Sequence, residues 1–258
     1  MADLILDQLG VTLQGRALLH PTSIRISPGR FVAVVGANGA GKTTLLRAIA
    51  GLTPICGAAQ YAGRTIGSLR PIERAQLLGY LPQAHDFAWA MPVRDMVALG
   101  LYAFGDRGTE GGVGAQVDMI LSACGIADLA DRPVDRLSGG ERAVVALARV
   151  LIAQTPLLLL DEPVAALDIG RQYQLLEQLS GYCANGRTII TILHDLALVS
   201  QFADRILWVD GGKLVADTEN SPDAINTHAP RLLGRAPQWA KPAGNGPATL
   251  FFKREETE

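Results

Sequence analysis

The stretch Gly36-Ala37-Asn38-Gly39-Ala40-Gly41-Lys42-Thr43 follows the pattern G-x-x-x-x-G-K-[ST], and the chemistry it suits is the grasp of a polyphosphate. Small residues let consecutive backbone N–H groups curl around phosphate oxygens, and a helix starting at the end of the loop adds the positive end of its dipole. Lys42 is placed to reach the terminal phosphates, and the Thr43 hydroxyl to take one position on a Mg²⁺ ion. A complement stands far along the chain at Asp161-Glu162-Pro163, directly after Leu157-Leu-Leu-Leu160. A carboxylate at the carboxyl end of a buried strand lies where open α/β sheets bind their ligands. Asp161 is therefore expected to hold Mg²⁺, directly or through water, and Glu162 to polarise an attacking water.

A third segment, Leu137-Ser138-Gly139-Gly140-Glu141, admits two readings. Ser138 and Glu141 have the spacing of a capping box at the start of a helix that continues over 143–153. Two glycines at a helix N-terminus would also suit a second surface facing phosphate. Spacing alone does not choose between them.

These residues need elements to position them. Phe31-Val-Ala-Val-Val35, Leu157–Leu160 and Thr188-Ile-Ile-Thr-Ile-Leu193 are short apolar runs of the kind that buried strands make. The first ends in the glycine-rich loop, and Thr43–Ala50 then reads as a helix closed by Gly51. A helical stretch over Arg171–Tyr182 separates the other two runs, and this alternation predicts a parallel α/β sheet. Residues 1–30 alternate weakly up to a Ser27-Pro28-Gly29 turn, and Arg205–Ala216 reads as a β-hairpin turning at Asp210-Gly211-Gly212. Loop and helix fill about 84–153, including a glycine-dense surface connection at 105–114. After Pro230 the chain reads as a loose extension with one possible strand at Leu250–Lys253.

Composition narrows the partners. The chain has 258 residues, 48% of them hydrophobic, enough to bury a sizeable core. Its 23 basic and 25 acidic residues nearly cancel, so no bulk charge favours nucleic acid or anionic lipid. Three scattered cysteines, Cys56, Cys124 and Cys183, suggest neither a disulfide framework nor a zinc site. No signal-like segment opens the chain, and the greasiest stretch, 150–160, is short of the ~18 apolar residues a membrane span requires. Lys42 is the one lysine in the first 212 residues of a chain that otherwise uses arginine. A slim stem ending in a compact ammonium fits the phosphate loop where a planar guanidinium would crowd it.

Over about residues 4–215 the sequence resembles the nucleotide-binding subunits of ATP-binding-cassette (ABC) transporters. The resemblance rests on LSGGE at 137–141, Tyr80-Leu-Pro-Gln83, Ala166-Leu-Asp168 and Leu193-His194-Asp195-Leu196, in that family's order alongside the phosphate loop and Asp161-Glu162. It implies an α/β fold: a P-loop NTPase core of the RecA type, an antiparallel β portion at the N-terminus and an inserted helical subdomain. Residues 1–230 would form the ATPase domain, with the helical subdomain at about 84–153, and 231–258 a C-terminal extension. It further implies that ATP lies on residues 36–43 and Thr44, that Gln83 senses Mg²⁺ and water, and that His194 contacts the γ-phosphate. Leu137, Ser138, Gly139, Gly140 and Glu141 would meet the ATP held by a second copy in a head-to-tail dimer, with Asp168 in the loop between the two sites. Two departures stand out. Leu13 occupies the region where the family stacks an aromatic residue on adenine, which predicts weak discrimination of the base, and Ala165-Ala166 replaces a common serine.

The implied reaction is ATP hydrolysis driving transport through separate membrane subunits, docked at a groove from Gln83 through Met91–Gly100. The run VRDMVALG, the YLPQ form and the size resemble subunits of bacterial importers of iron-siderophore, haem or cobalamin, which place the protein on the cytoplasmic face of the inner membrane with a substrate-binding protein as an indirect partner. Other ABC importers and single-domain exporters share the remaining motifs, and two further readings use part of the motif set. A non-transport ABC ATPase of DNA repair or the ribosome would carry insertions or a second cassette, and a small-molecule kinase would leave LSGGE and His194 without a use.

Overall fold

The computed structural model describes residues 2–84, 87, 90–105, 112–234, 236–240 and 249–251. It opens with a hairpin, β1 (Leu4–Leu13) and β2 (Arg16–Ile26), then β3 (Phe31–Val35) and α1 (Lys42–Ile49). Next come β4 (Cys56–Tyr61), β5 (Arg64–Thr65), α2 (Pro71–Leu77) and β6 (Leu78–Leu81), then helices α3 (Val93–Ala98), α4 (Gly112–Ala123) and α5 (Gly139–Leu151). The rest alternates β7 (Leu157–Asp161), α6 (Ile169–Ala184), β8 (Thr188–Ile192), α7 (Leu196–Phe202), β9 (Arg205–Asp210), β10 (Lys213–Glu219) and α8 (Pro222–Leu233). It ends in a small hairpin, β11 (Gln238–Ala240) and β12 (Thr249–Phe251).

Two sheets face each other. One is antiparallel with order β2-β1-β4-β5, and the other has order β10-β9-β3-β8-β7-β6, parallel from β9 through β6 with β10 antiparallel at its edge. Every residue of β3, β7 and β8 is buried, because the central strands are covered on both faces. Residues pointing one way, Val32, Val34, Leu157, Leu159, Ile190 and Ile192, pack with α1 and the antiparallel sheet. Their alternates, Phe31, Ala33, Leu158, Leu160 and Ile189, pack with α5, α6 and α7. This two-sided burial turns what would be period-2 patterning into unbroken apolar runs. It also lines the carboxyl ends of β3, β7 and β8 along one edge, where the loops after them carry the chemistry.

Several expectations about elements differ from the structure in instructive ways. The weak alternation before residue 30 corresponds to two long strands whose pairing slips at Leu6/Leu9, Leu9/Val11 and Val11/Thr12, with Gln8 at φ 47. Each slip moves the apolar positions to the other face and erases the period. The chain after Pro230 is not simply a loose extension: α8 continues to Leu233, Leu232 and Leu250 are buried in the main core, and Trp239 Nε1 donates to Asn226 Oδ1 at 2.9 Å. The glycine-dense connection lies largely outside the described residues.

Candidate functional site

β3 delivers the chain into the loop at residues 36–41, and α1 begins at Lys42 with Gly41 as its cap. Gly41 has φ 103, a backbone conformation that side chains rarely adopt, and it swings the first turn of α1 under the loop. The Lys42 ammonium folds back, donating to the Gly36 and Ala37 carbonyls at 2.8 Å each. Burial lowers its pKa, and attraction to Glu162 and then Asp161 opposes that. These two bonds can be exchanged for phosphate oxygens without stranding a donor.

β7 ends at Asp161, whose side chain is fully buried and whose two carboxylate oxygens have no hydrogen-bond partner. Burial pushes this carboxyl above its usual range. The Thr43 hydroxyl opposes the shift from close by without completing a hydrogen bond of normal geometry, and Lys42 opposes it through charge. A buried carboxylate whose two oxygens lack a hydrogen bond of normal geometry, beside the Thr43 hydroxyl, fits a hard cation that keeps most of its ligands as water or phosphate. Among the described residues no group of three or more His, Cys, Asp or Glu side chains is arranged so that it could hold a metal ion by itself. An all-protein metal cage is therefore not the arrangement there.

Glu162 follows with φ 54, the left-handed region for a non-glycine residue, which costs ~1–3 kcal/mol and is tolerated where the surroundings fix it. Here His194, one residue beyond Leu193 after β8, places Nε2 at 2.6 Å from Glu162 Oε1. With the carboxylate ionised, this contact requires the proton on Nε2. Asn38, Gly39, Gly41, Lys42, Thr43, Thr44, Gln83, Glu162 and His194 together line a cavity of about 510 Å³. Residues from four separate stretches of sequence thus meet at one mouth. A smaller groove of about 250 Å³ is lined by Gln83, Gly139, Ala143, Glu162, Ala165 and Ala166.

Ser138 caps α5: its hydroxyl accepts from the Glu141 amide at 3.3 Å, and Glu141 accepts from the Ser138 amide at 2.7 Å. That second bond holds the Glu141 carboxyl below its ordinary range. The capping box is formed, and Gly139 lines the smaller groove. Leu137 is buried beneath it. Asp168 accepts from the Arg171 amide at 3.0 Å and caps α6. Leu13, at the β1–β2 turn, is 58% exposed and does not line the cavity. Two residues escaped the sequence reading. Gln172 donates to the Val164 and Leu167 carbonyls at 3.1 Å each and fastens the loop beyond Glu162, while Gly212 donates its amide to the Ala40 carbonyl. Gln172 sits among ordinary polar helix residues and gives no signal; the doubled glycine at 211–212 is a faint one.

The family profile described as ABC transporter matches residues 19–165. Hemin import ATP-binding protein HmuV of Rhizobium meliloti (strain 1021) is 41% identical over 219 residues, covering 81% of this chain and 83% of that protein. The protein of the same name from Gloeobacter violaceus is 40% identical over 254 residues, with 95% and 88% covered. In fold the chain is similar to cbiO1 from Clostridium perfringens, part of the ABC transporter complex cbiONQ. That match has TM-score 0.74 and 26% identity, with 88% and 92% covered. A dimeric ATP-binding cassette bound to ADP and Pi shares the fold alone, at TM-score 0.76 and 23% identity, with 84% and 99% covered. The profile spans more than half of the chain, and it falls on the loop, groove and carboxylates that converge at the cavity: this protein belongs to the ABC transporter family, as one of its ATP-hydrolysing subunits.

Proposed function

We propose that the protein energises an importer of haem-type cargo, working as a head-to-tail pair of identical chains beneath membrane-embedded permease subunits. The convergence of Lys42, Thr43, Gln83, Glu162 and His194 on one cavity carries the ATPase half of this reading. The names of relatives 37–41% identical to the chain support the cargo. No helix among the described residues is long and apolar enough to cross a membrane, which suits a subunit that docks at the cytoplasmic face.

The phosphates of ATP lie on the amides of residues 36–44, and Lys42 exchanges its two carbonyl partners for phosphate oxygens. Asp161, Thr43 and Gln83 hold Mg²⁺, which when bound neutralises charge on the phosphates. Glu162 orients the attacking water and accepts its proton at Oε1 or Oε2, while His194 holds that carboxylate and reaches toward the γ-phosphate. The glycines of the α5 N-terminus close over the ATP of the second copy, and Asp168 lies between the two sites. Residues 1–230 act as the ATPase domain with its helical subdomain at about 84–153, and 231–258 as an extension. The docking groove for the permease runs from Gln83 to Gly100, partly outside the described residues. Deleting the gene should abolish growth on hemin as the sole iron source and leave growth on ferric salts intact. Normal growth on hemin, with loss of growth on a siderophore or of cobalamin uptake, would reassign the cargo.

A further inference from the structure

One hairpin grips both ends of the phosphate loop. At the turn between β9 and β10 the Gly212 amide donates to the Ala40 carbonyl at 2.8 Å, and the Gly212 carbonyl accepts from the His20 amide of β2 at 2.7 Å. At the loop's other end, a Cβ on Gly36 would stand 2.1 Å from the Val209 carbonyl oxygen of β9. A Cβ on Gly212 would stand 2.7 Å from the Leu18 carbonyl oxygen and 3.1 Å from its carbon. These obstacles are backbone atoms of paired strands, which cannot swing aside as a side chain can. The loop, the hairpin turn and β2 are therefore three layers of backbone with no room for a side chain between them.

We infer that Gly212 is a positioning residue of the nucleotide site: its bare backbone sets the place of Ala40, and so of the amides that follow at Gly41 and Lys42. The inference rests on the reading of residues 36–44 as the ATP-binding loop. Amide hydrogen bonds weaken steeply with distance and angle, so a small displacement of the whole loop weakens several phosphate contacts together. The neighbouring glycine supplies a built-in control. Gly211 also has positive φ, at +51 against +75 for Gly212, but a Cβ there would meet nothing within 4 Å. Alanine at 211 brings backbone strain alone, whereas alanine at 212 brings strain and collision.

The test compares G212A, G211A and the unaltered protein, well below their unfolding temperatures. Equilibrium binding of ADP and ATP is measured by displacement of a fluorescent nucleotide, together with steady-state ATP hydrolysis. G212A should weaken both nucleotides about tenfold or more, and its KM should rise more than its kcat falls. G211A should stay within about twofold of the unaltered protein. Equal binding by G212A and G211A overturns the inference, as does a fall in kcat with KM unchanged. Failure of the unaltered protein to bind ATP would instead overturn the ATP reading. Should G212A not fold, hydrogen exchange on the unaltered protein decides. ADP should slow exchange of the Gly212 amide about tenfold while leaving the Asn220 amide, bonded to the Asp204 carbonyl at the far end of β10, unchanged. Equal slowing of both, or of neither, overturns it.

Discussion

Asp161→Asn separates two effects of one carboxylate that have opposite signs. Without nucleotide, Asp161 is fully buried and neither oxygen has a hydrogen-bond partner. Lys42 offers only charge at a distance, since its ammonium is engaged by the Gly36 and Ala37 carbonyls. The acid's folded-state pKa is raised, so the folded protein holds this proton more tightly than the unfolded chain does. Stability from this group is present at low pH and is lost as pH rises from the ordinary carboxylate value of ~3.9 through the raised one. Above the raised value the ionised form carries the full penalty. Asparagine keeps the shape and removes the charge but leaves a buried polar group, so we take the low end of the ~1–3 kcal/mol range, about 1 kcal/mol of stabilisation. For a chain of this size that raises Tm by roughly 2–4 °C. Mg-ATP at 100 times its Kd adds ~2.7 kcal/mol to the unaltered protein, a further rise of roughly 5–10 °C. The variant should lose the part of that rise that EDTA removes from the unaltered protein. Thermal unfolding followed by tryptophan fluorescence, with and without Mg-ATP, reads both signs in one experiment. A variant less stable than its parent without nucleotide, yet equally stabilised by Mg-ATP, would refute the placement of Asp161 as a cation ligand.

Three further outcomes follow from the same geometry. Lys42→Ala removes a charge-assisted contact of ~1.5–3 kcal/mol, so ATP affinity measured by calorimetry should fall about 10–100-fold; an unchanged Kd would remove Lys42 from the phosphates. Burial pushes the thiols of Cys124 and Cys183 up to about 12, whereas Cys56 is exposed. A thiol-reactive dye at pH 8 should therefore label one cysteine in the folded protein and all three after unfolding. With the exposed Leu13 in place of a stacking aromatic worth ~1–3 kcal/mol, Kd values for ATP and GTP should lie within about tenfold. A preference for ATP beyond about 100-fold would show that the base is read elsewhere.

What was legible in the sequence depended on whether neighbours in space were also neighbours in the chain. Six of the cavity's lining residues fall within the seven consecutive positions 38–44, and β3, β7 and β8 read as apolar runs because both of their faces are buried. β1 and β2 were faint because their bulges flip the burial pattern. The packing of Leu250 and Trp239 on the core was invisible, since their partners lie on elements far back in the sequence and no local period records them. The left-handed backbone of Glu162 and the 2.6 Å contact with His194 belong to the same class, because they arise where the ends of β7 and β8 are brought side by side. The grip of Gly212 on Ala40 joins positions 172 residues apart, and a turn signal alone does not say what the turn leans on.

ATP hydrolysis between two copies of this chain is tested most directly by Glu162→Gln, followed by phosphate release and by sedimentation with Mg-ATP. The side chain keeps its shape at the cavity mouth but can no longer accept a proton from water. Phosphate release should fall about 100-fold or more while ATP still binds, and the variant should accumulate as a nucleotide-bound dimer. Phosphate release at the parent's rate would contradict the role given to Glu162, and an ATP-bound variant that stays monomeric would contradict the shared site.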